Sequence, residues 1–278
     1  MRRVTLHKIG VVSLLLVCGP AATASGQAAT PIDSLVTTFI EQGPLSPWRP
    51  FQLFKGCPDL DTRQRRGISL LMSADLSVSR IDELAGAWAS PLKQCADPAL
   101  EQWYFDTMSR FMREGNLGSL FRFRMVLERT ATPAVQSYLR SVMLDAAMPE
   151  DARTWAGLRL VQQLQASEVR AEWQLAFESE QMPWGVVRYA TSRLLSEDAG
   201  WLVPELAGRI RNNPNVITGP ARLQTIFLQV FQDGSPAQRE TIARAIEDAA
   251  APAAEDRRAH MRAFADWLRK GRQVDRHM

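Results

Sequence analysis

Histidine is scarce in this 278-residue sequence, which contains only three. His7 lies within residues 1–28, which have the pattern of a targeting leader, and His277 is the penultimate residue. His260 stands in a charged helical segment, where we interpret it as a solvated side chain. Zinc sites built on histidine and Ser–His or Cys–His nucleophilic pairs need more than these residues. We therefore predict no metal site and no histidine-based catalysis.

The chain also lacks the short motifs of common catalytic and nucleotide-binding sites. It contains no G-x-S-x-G nucleophile elbow, no glycine-rich phosphate loop and no H-E-x-x-H zinc motif. Two carboxylates suffice for glycoside cleavage, so that chemistry stays open. Glu178-Ser179 distantly resembles the Glu-Ser pair of lytic transglycosylases, although the glycine-rich segment that follows in that family is missing. The sequence predicts no cofactor and no enzyme; the alternative is a carboxylate-dependent hydrolase or lyase acting on cell-wall or other polysaccharide.

Strand signals are absent as well. No sustained alternation of apolar and polar residues occurs, and no Asn-Gly or Asp-Gly turn joins two strand-like runs. Helical periodicity is frequent instead, and the segment 32–42, for example, places five apolar side chains on one stripe. The three prolines of residues 43–51 predict an irregular linker. The predicted fold class is all-α.

Lysine is rare beside arginine, and the overall charge is nearly balanced. The chain has 33 basic and 30 acidic residues; Arg2, Arg3 and Lys8 belong to the leader, which has no acid, so the mature chain carries 30 of each sign. No whole-chain attraction to nucleic acid or to an anionic membrane remains. The arginine excess indicates either recognition of anionic groups by guanidinium forks or a biased codon composition.

The N-terminus has the three-part pattern of a secretory signal peptide. Basic residues precede the apolar run Ile9–Val17, which is shorter than the roughly 20 residues of a membrane-spanning helix. Small residues follow, so we expect cleavage after residues 24–28 and a periplasmic or secreted protein. A lipoprotein anchored through Cys18 is the minor alternative, because Val17 stands where a small residue normally precedes a lipidated cysteine.

Two cysteines remain after cleavage, Cys57 and Cys95. An even number in an exported protein predicts a disulfide between them, with two buried thiols as the alternative. A loop of this length would add about 4 kcal/mol in the chain-entropy model. The predicted organisation is a leader (1–28), an N-terminal helical and irregular region with the disulfide (29–97), a helical-repeat domain (98–271) and a frayed tail (272–278).

Proline recurs where helices are predicted to start. A proline at the first helical position costs little, because its missing N–H would be unpaired there. From Pro149 the intervals to Pro183, Pro220 and Pro252 are 34, 37 and 32 residues, and each interval holds two helices. This period is typical of an α-solenoid, in which stacked helix pairs bury their apolar faces. The predicted helices are 98–115, 119–130, 133–146, 149–165, 168–178, 183–196, 199–212, 220–233, 236–249 and 252–270.

Two segments resemble HEAT-type repeat helices: PEDARTWAGLRLVQQL (149–164) and PWGVVRYATSRLLSE (183–197). Both place an arginine, then a small alanine two or three residues later, then a leucine. Over about residues 149–250 the resemblance implies a stacked, HEAT-like helical scaffold with binding as its common role, and it carries no catalytic residue. We therefore predict an exported, non-enzymatic binding or scaffold protein that holds a protein or peptide partner.

Two groups of side chains form the predicted binding surface. Arginines between residues 110 and 129 outnumber the acids around them and would suit an acidic ligand, unless they form a solvated face. Tryptophans in the repeat helices would seat a sugar ring or a peptide if exposed, and are core residues if buried. The candidate residues are Arg110, Arg113, Arg122, Arg124, Trp155, Trp184, Arg188 and Trp201.

Overall fold

The computed structural model describes residues 32–42, 59–88 and 97–271. Within these ranges the chain forms helices and no strand, which confirms the predicted all-α class. The α-helices are α1 (Ile32–Gln42), α2 (Thr62–Ser73), α3 (Val78–Trp88), α4 (Pro98–Arg113), α5 (Phe121–Glu128), α6 (Pro133–Leu144), α7 (Glu150–Gln163), α8 (Ala166–Glu178), α9 (Trp184–Glu197), α10 (Ala199–Asn212), α11 (Ala221–Asp233), α12 (Pro236–Ala250) and α13 (Glu255–Lys270). The predicted leader with Cys18, the predicted disulfide residues Cys57 and Cys95, the linker 43–51 and the tail 272–278 lie outside the described residues.

Helix starts follow local capping chemistry. Asp97, Thr132 and Ser235 accept hydrogen bonds from backbone N–H groups in the first turns of α4, α6 and α12, and a proline follows each of them. The first predicted helix, 32–42, has the bounds of α1. Capping residues that are visible in the sequence therefore account for the predicted starts of these helices.

The prediction was wrong by a residue or more at other helix starts. Pro149, Pro183 and Pro220 occupy the N-cap position, because their ψ angles of 146°, 134° and 154° are extended rather than helical. Helix α8 begins at Ala166, with Gln165 as its N-cap, and not at the predicted residue 168. These shifts leave the order of the helices unchanged.

The region before α4 was predicted as helical and irregular, and it contains two helices that were not predicted individually, α2 and α3. Asp61 opens α2 with a capping box, accepting from the N–H of Gln64 at 2.8 Å while Gln64 accepts from its N–H at 3.0 Å. In α3, Asp82 accepts from the backbone N–H groups of Arg122 and Phe123 at 2.7 and 3.1 Å. The Asp82 carboxylate thus ties α3 to the start of α5.

Alternate helices lie side by side from α7 onward. Helix α9 packs against α7 and α11, α11 packs against α13, and α10 packs against α12. Neighbours in sequence, such as α6 and α7 or α12 and α13, also pack together. Buried positions of α7 recur 34 residues later in α9: Ala152 with Val186, Ala156 with Ala190, Gly157 with Thr191, Leu160 with Leu194 and Val161 with Leu195.

Gly157 marks the closest approach between α7 and its neighbours. A Cβ atom at this position would lie 2.4 Å from Cγ2 of Val186 on α9 and 2.7 Å from Sδ of Met143 on α6. Atoms at these separations overlap, so the packing of three helices depends on the absence of a side chain here.

Several arginines connect neighbouring helices instead of facing solvent freely. Arg153 donates to the carbonyl oxygen of Met143 at 3.1 Å, and Arg222 donates to that of Ala176 at 3.0 Å. Carbonyls in the last turn of a helix lack intrahelical partners, and these guanidinium groups satisfy them. Part of the arginine excess therefore serves helix packing, a role that the sequence analysis did not consider.

Candidate functional site

The predicted arginine surface consists largely of paired side chains. Arg110 lies 3.2 Å from Asp75, and Arg113 lies 3.4 Å from Asp145. The Arg188 guanidinium donates to Oε1 of Gln229 at 2.9 Å. The first two contacts join α4 to the turn before α3 and to the end of α6. The third contact joins α9 to α11.

Arg124 and Trp155 are brought together by the contact of α5 with α7. The Arg124 guanidinium lies 5.9 Å from the centroid of the Trp155 ring. Trp155 is buried and donates its indole N–H to Glu128 at 3.1 Å. Arg122 is exposed and lines a polar pocket beside Asp82, away from the tryptophans of the later helices.

The remaining candidate tryptophans differ in exposure. Trp201 packs edge-on against the fully buried Trp173 with ring centroids 5.7 Å apart, and Arg170 covers it at 5.3 Å. Trp184, the first residue of α9, is 51% exposed. The predicted residues therefore do not form one continuous surface.

An open apolar cleft lies between α11 and α13, beside the short turn that follows α10. Its volume is about 480 Å³, within the roughly 300–1,000 Å³ typical of ligand pockets. Aromatic rings pack along it: the Phe227 and Phe264 centroids are 5.4 Å apart edge to face, and those of Phe264 and Trp267 are 5.2 Å apart. We call this the apolar cleft; its apolar lining residues are Ile217, Ala221, Phe227, Leu228, Phe264 and Trp267.

The apolar cleft is lined by two residues with polar atoms on α13. His260 and Trp267 both line the cleft, and in the part of the chain that the structure describes neither side chain has a hydrogen-bond partner. Leu228 is 39% exposed, so part of its side chain faces solvent at the cleft. No acidic residue is among those that line the cleft.

A second, polar cleft lies on the other side of residues 213–220. Its volume is about 730 Å³, and its lining includes Glu178, Glu205, Arg209 and Asn212. Arg209 donates to Glu205 at 2.7 Å, and its guanidinium lies 4.3 Å from the centroid of the Phe177 ring. One carboxylate of the polar cleft is thus paired, whereas Glu178 is exposed at the end of α8.

Shifted ionisation equilibria occur at helix contacts. Burial raises the pKa values of Tyr104 and Tyr138 above that of a free phenol. At the contact between α12 and α13, hydrogen bonds from Arg269 lower the pKa values of Glu240 and Glu247. Both arrangements hold helices together.

Sequence reasoning did not point to the apolar cleft, and it interpreted His260 as a solvated side chain. His260 is exposed, but it lines the cleft together with Phe264 and Trp267. A signal was present in the sequence: the buried stripe of α13 is Met261, Ala265 and Leu268, and the two aromatic residues lie beside that stripe.

Comparison with known proteins adds no assignment, since the chain matches no family model, no curated protein and no solved structure. Among the described residues, no cluster of three or more histidine, cysteine, aspartate or glutamate side chains could hold a metal ion. None of the helices in the described ranges combines the length and apolarity needed to cross a membrane.

Proposed function

We propose that this chain is an exported, non-enzymatic binding protein, built as a HEAT-like stack of helices, that seats an apolar group of a protein or peptide partner in the apolar cleft. The observation that carries the proposal is the cleft itself. It is open and aromatic-walled, and no side chain of its own helices fills it. Interfaces place their strongest contacts at apolar pockets of this kind.

Helix packing supports the HEAT-like part of the proposal. The buried positions of α7 and α9 recur at 34 residues, and those of α9 continue into α11, where Val187, Ala190 and Leu194 correspond to Leu223, Ile226 and Val230. Repeat arrays are extended and present long surfaces to partners. Their terminal helices have a neighbour on one side only, and α13 lies at that end of the described chain.

The test is site-specific photo-cross-linking in cells of the source organism. A benzophenone amino acid replaces Leu228 in the cleft or, as a matched control, Thr241, which is exposed on α12. We expect one product at position 228 that is absent at position 241. The partner is then identified, purified and tested for direct binding to the full chain.

A second variant tests whether the cross-linked partner binds at the cleft itself. Leu228→Ser removes an exposed apolar contact at little cost to folding, and we expect it to weaken binding of the purified partner about tenfold. Equal cross-linking at both positions, or a partner that binds the Leu228→Ser variant as well as the wild type, would contradict the proposal.

The polar cleft supports one alternative, the carboxylate-dependent cleavage of a polysaccharide. It places Glu178 and Glu205 in the same cleft, and glycoside cleavage uses a pair of carboxylates. The assay is turnover of peptidoglycan by the wild type and by the Glu178→Gln variant. Activity that is lost in the variant supports the enzyme; no activity, or equal activity in both proteins, removes it.

A further inference from the structure

We propose that helix α13 pairs in antiparallel orientation with α13 of a second copy of this chain, through the exposed face that carries Asp256, Ala263 and Lys270. The spacing of two opposite, unpaired charges about a small central residue carries the inference. The pairing uses a face of α13 outside the lining of the apolar cleft, so it goes beyond the proposed function and does not depend on it.

The outer face of α13 is uncovered in the part of the chain that the structure describes. The buried stripe of this helix faces α11 and α12. Seven residues are about two helical turns, so Asp256, Ala263 and Lys270 lie on one side of α13, opposite the buried stripe. All three are exposed, as is Ala259 beside them. We call this side the outer face.

The charges at the two ends of the outer face are opposite and unpaired. Among the described residues, neither Asp256 nor Lys270 has a hydrogen-bond or ion-pair partner. Other charged side chains of α13 are used within the chain. Glu255 lies 3.4 Å from Arg258, and Arg269 donates to carboxylates of α12. Asp256 and Lys270 are therefore available to another molecule.

The spacing makes the outer face complementary to itself. Asp256 lies seven residues before Ala263, and Lys270 lies seven residues after it. An antiparallel pair centred on Ala263 therefore places each Asp256 opposite the Lys270 of the other copy. A parallel pair would place like charges together. Two-fold contacts between identical chains need a self-complementary patch of this kind, whereas a contact with an unrelated protein does not.

Small side chains at the centre of the outer face permit a close approach. Helices with small residues at the contact pack about 8 Å apart, and Ala259 and Ala263 supply such residues. The 16-residue helix is about 24 Å long. One helix pair of this length is a small interface, so we expect a weak dimer with a dissociation constant of about 10 µM.

Sedimentation velocity of the full chain from about 1 to 100 µM tests the dimer, since this range brackets the expected constant. Asp256→Lys and Lys270→Asp each bring like charges together twice, so each variant alone should dimerise at least about tenfold more weakly. An equimolar mixture of the two variants restores both opposite-charge pairs and should associate as the wild type does. Glu41→Lys reverses an exposed charge on α1 and is the control, which should dimerise normally.

Cysteine cross-linking tests the register. At the centre of an antiparallel pair residue 263 meets its own copy, so Ala263→Cys should form an intermolecular disulfide above the wild-type background. Ala259→Cys is the matched control, because the two copies of residue 259 would lie about 12 Å apart along the helices, beyond the reach of a disulfide. Equal cross-linking at both positions, or none at either, overturns the antiparallel register.

Three sedimentation results also overturn the inference. A wild type that stays monomeric at the highest concentration shows that no second copy covers the outer face. Dimerisation that both charge variants retain places the contact elsewhere on the molecule. A mixture of the two variants that associates no better than either alone means that Asp256 and Lys270 do not face each other. If partner cross-linking through position 228 persists in any of these cases, the proposed function stands without the dimer.

Discussion

The middle of the molecule and its C-terminal end use tryptophan in opposite ways. Trp173 on α8 is fully buried, donates its N–H to the Thr191 hydroxyl at 3.0 Å and packs against Trp201. Trp267 on α13 stacks on Phe231 with centroids 4.4 Å apart but lines the open cleft with its N–H unused. The same residue type is a core element in one place and a candidate contact in the other.

The difference follows from how many helices surround each tryptophan. A middle helix such as α9 has neighbours on both sides, α7 and α11, which fill the space beside its aromatic residues. Helix α13 packs on α11 and α12, and within the described residues no later helix covers its remaining surface. A candidate contact is thus distinguished by an uncovered ring and an unpaired polar atom rather than by the residue type.

Truncation of Trp173 should have the largest effect on stability. Trp173→Ala removes a fully buried ring and leaves the Thr191 hydroxyl without its donor, which should lower the free energy of unfolding by about 4 kcal/mol. Trp184→Ala is the control, since this side chain is 51% exposed, and should cost less than about 0.5 kcal/mol. Urea titration followed by circular dichroism measures both. Similar losses in the two variants would refute the contrast between covered and uncovered tryptophans.

A methyl group at Gly157 should have the next largest effect. Because a Cβ would overlap Val186 and Met143, Gly157→Ala should destabilise the protein by about 2 kcal/mol. Gly208 on α10 is the matched control, as a Cβ there meets nothing within 4 Å, and Gly208→Ala should stabilise by about 0.5 kcal/mol. Thermal melts of the two variants should shift in opposite directions. A neutral Gly157→Ala result would show that α7 and α9 separate easily.

The sequence predicted this packed middle better than it predicted the cleft. Helix starts at Asp97, Thr132 and Ser235 follow from local chemistry, which a sequence displays directly. The cleft depends on which helices become neighbours, and on whether Trp267 has an acceptor, and neither is encoded locally. Charged residues dominate the sequence of α13, and its aromatic residues Phe264 and Trp267 lie beside the buried stripe rather than on it.

Removal of Arg140 should test a buried charge in the middle region. Glu172 on α8 is only 3% exposed and accepts from Arg140 at 2.8 Å. Arg140→Ala leaves that carboxylate buried without its partner and should cost about 2 kcal/mol, less than a fully buried pair because Arg140 is partly exposed. Adding Glu172→Gln to this variant removes the charge and should recover part of the loss. A double variant less stable than Arg140→Ala alone would mean that Glu172 has another role.

The smallest predicted effect is a pH dependence at the C-terminal end, where charge joins α12 to α13. Hydrogen bonds from Arg269 lower the pKa values of Glu240 and Glu247 below those of the unfolded chain. The folded state therefore gains stability above the unfolded carboxyl pKa, about 4.3, and loses it as pH falls through the folded values. Arg269→Gln should be less stable than the wild type at pH 7, and the two should converge near pH 3.

Melting temperatures at pH 7, 5 and 3 measure this effect, with Arg211→Gln as the control. Arg211 lies 3.5 Å from Asp248, and both side chains are at least half exposed, so solvent screens that pair. The control should follow the wild type at every pH. If the melting temperature of Arg269→Gln also follows that of the wild type at every pH, the hydrogen bonds of Arg269 do not hold α13. The packing of Trp267 and Phe231 must then hold the terminal helix instead. Trp267, which lines the cleft, would then also hold α13 in place, so Trp267→Phe would change stability and binding together.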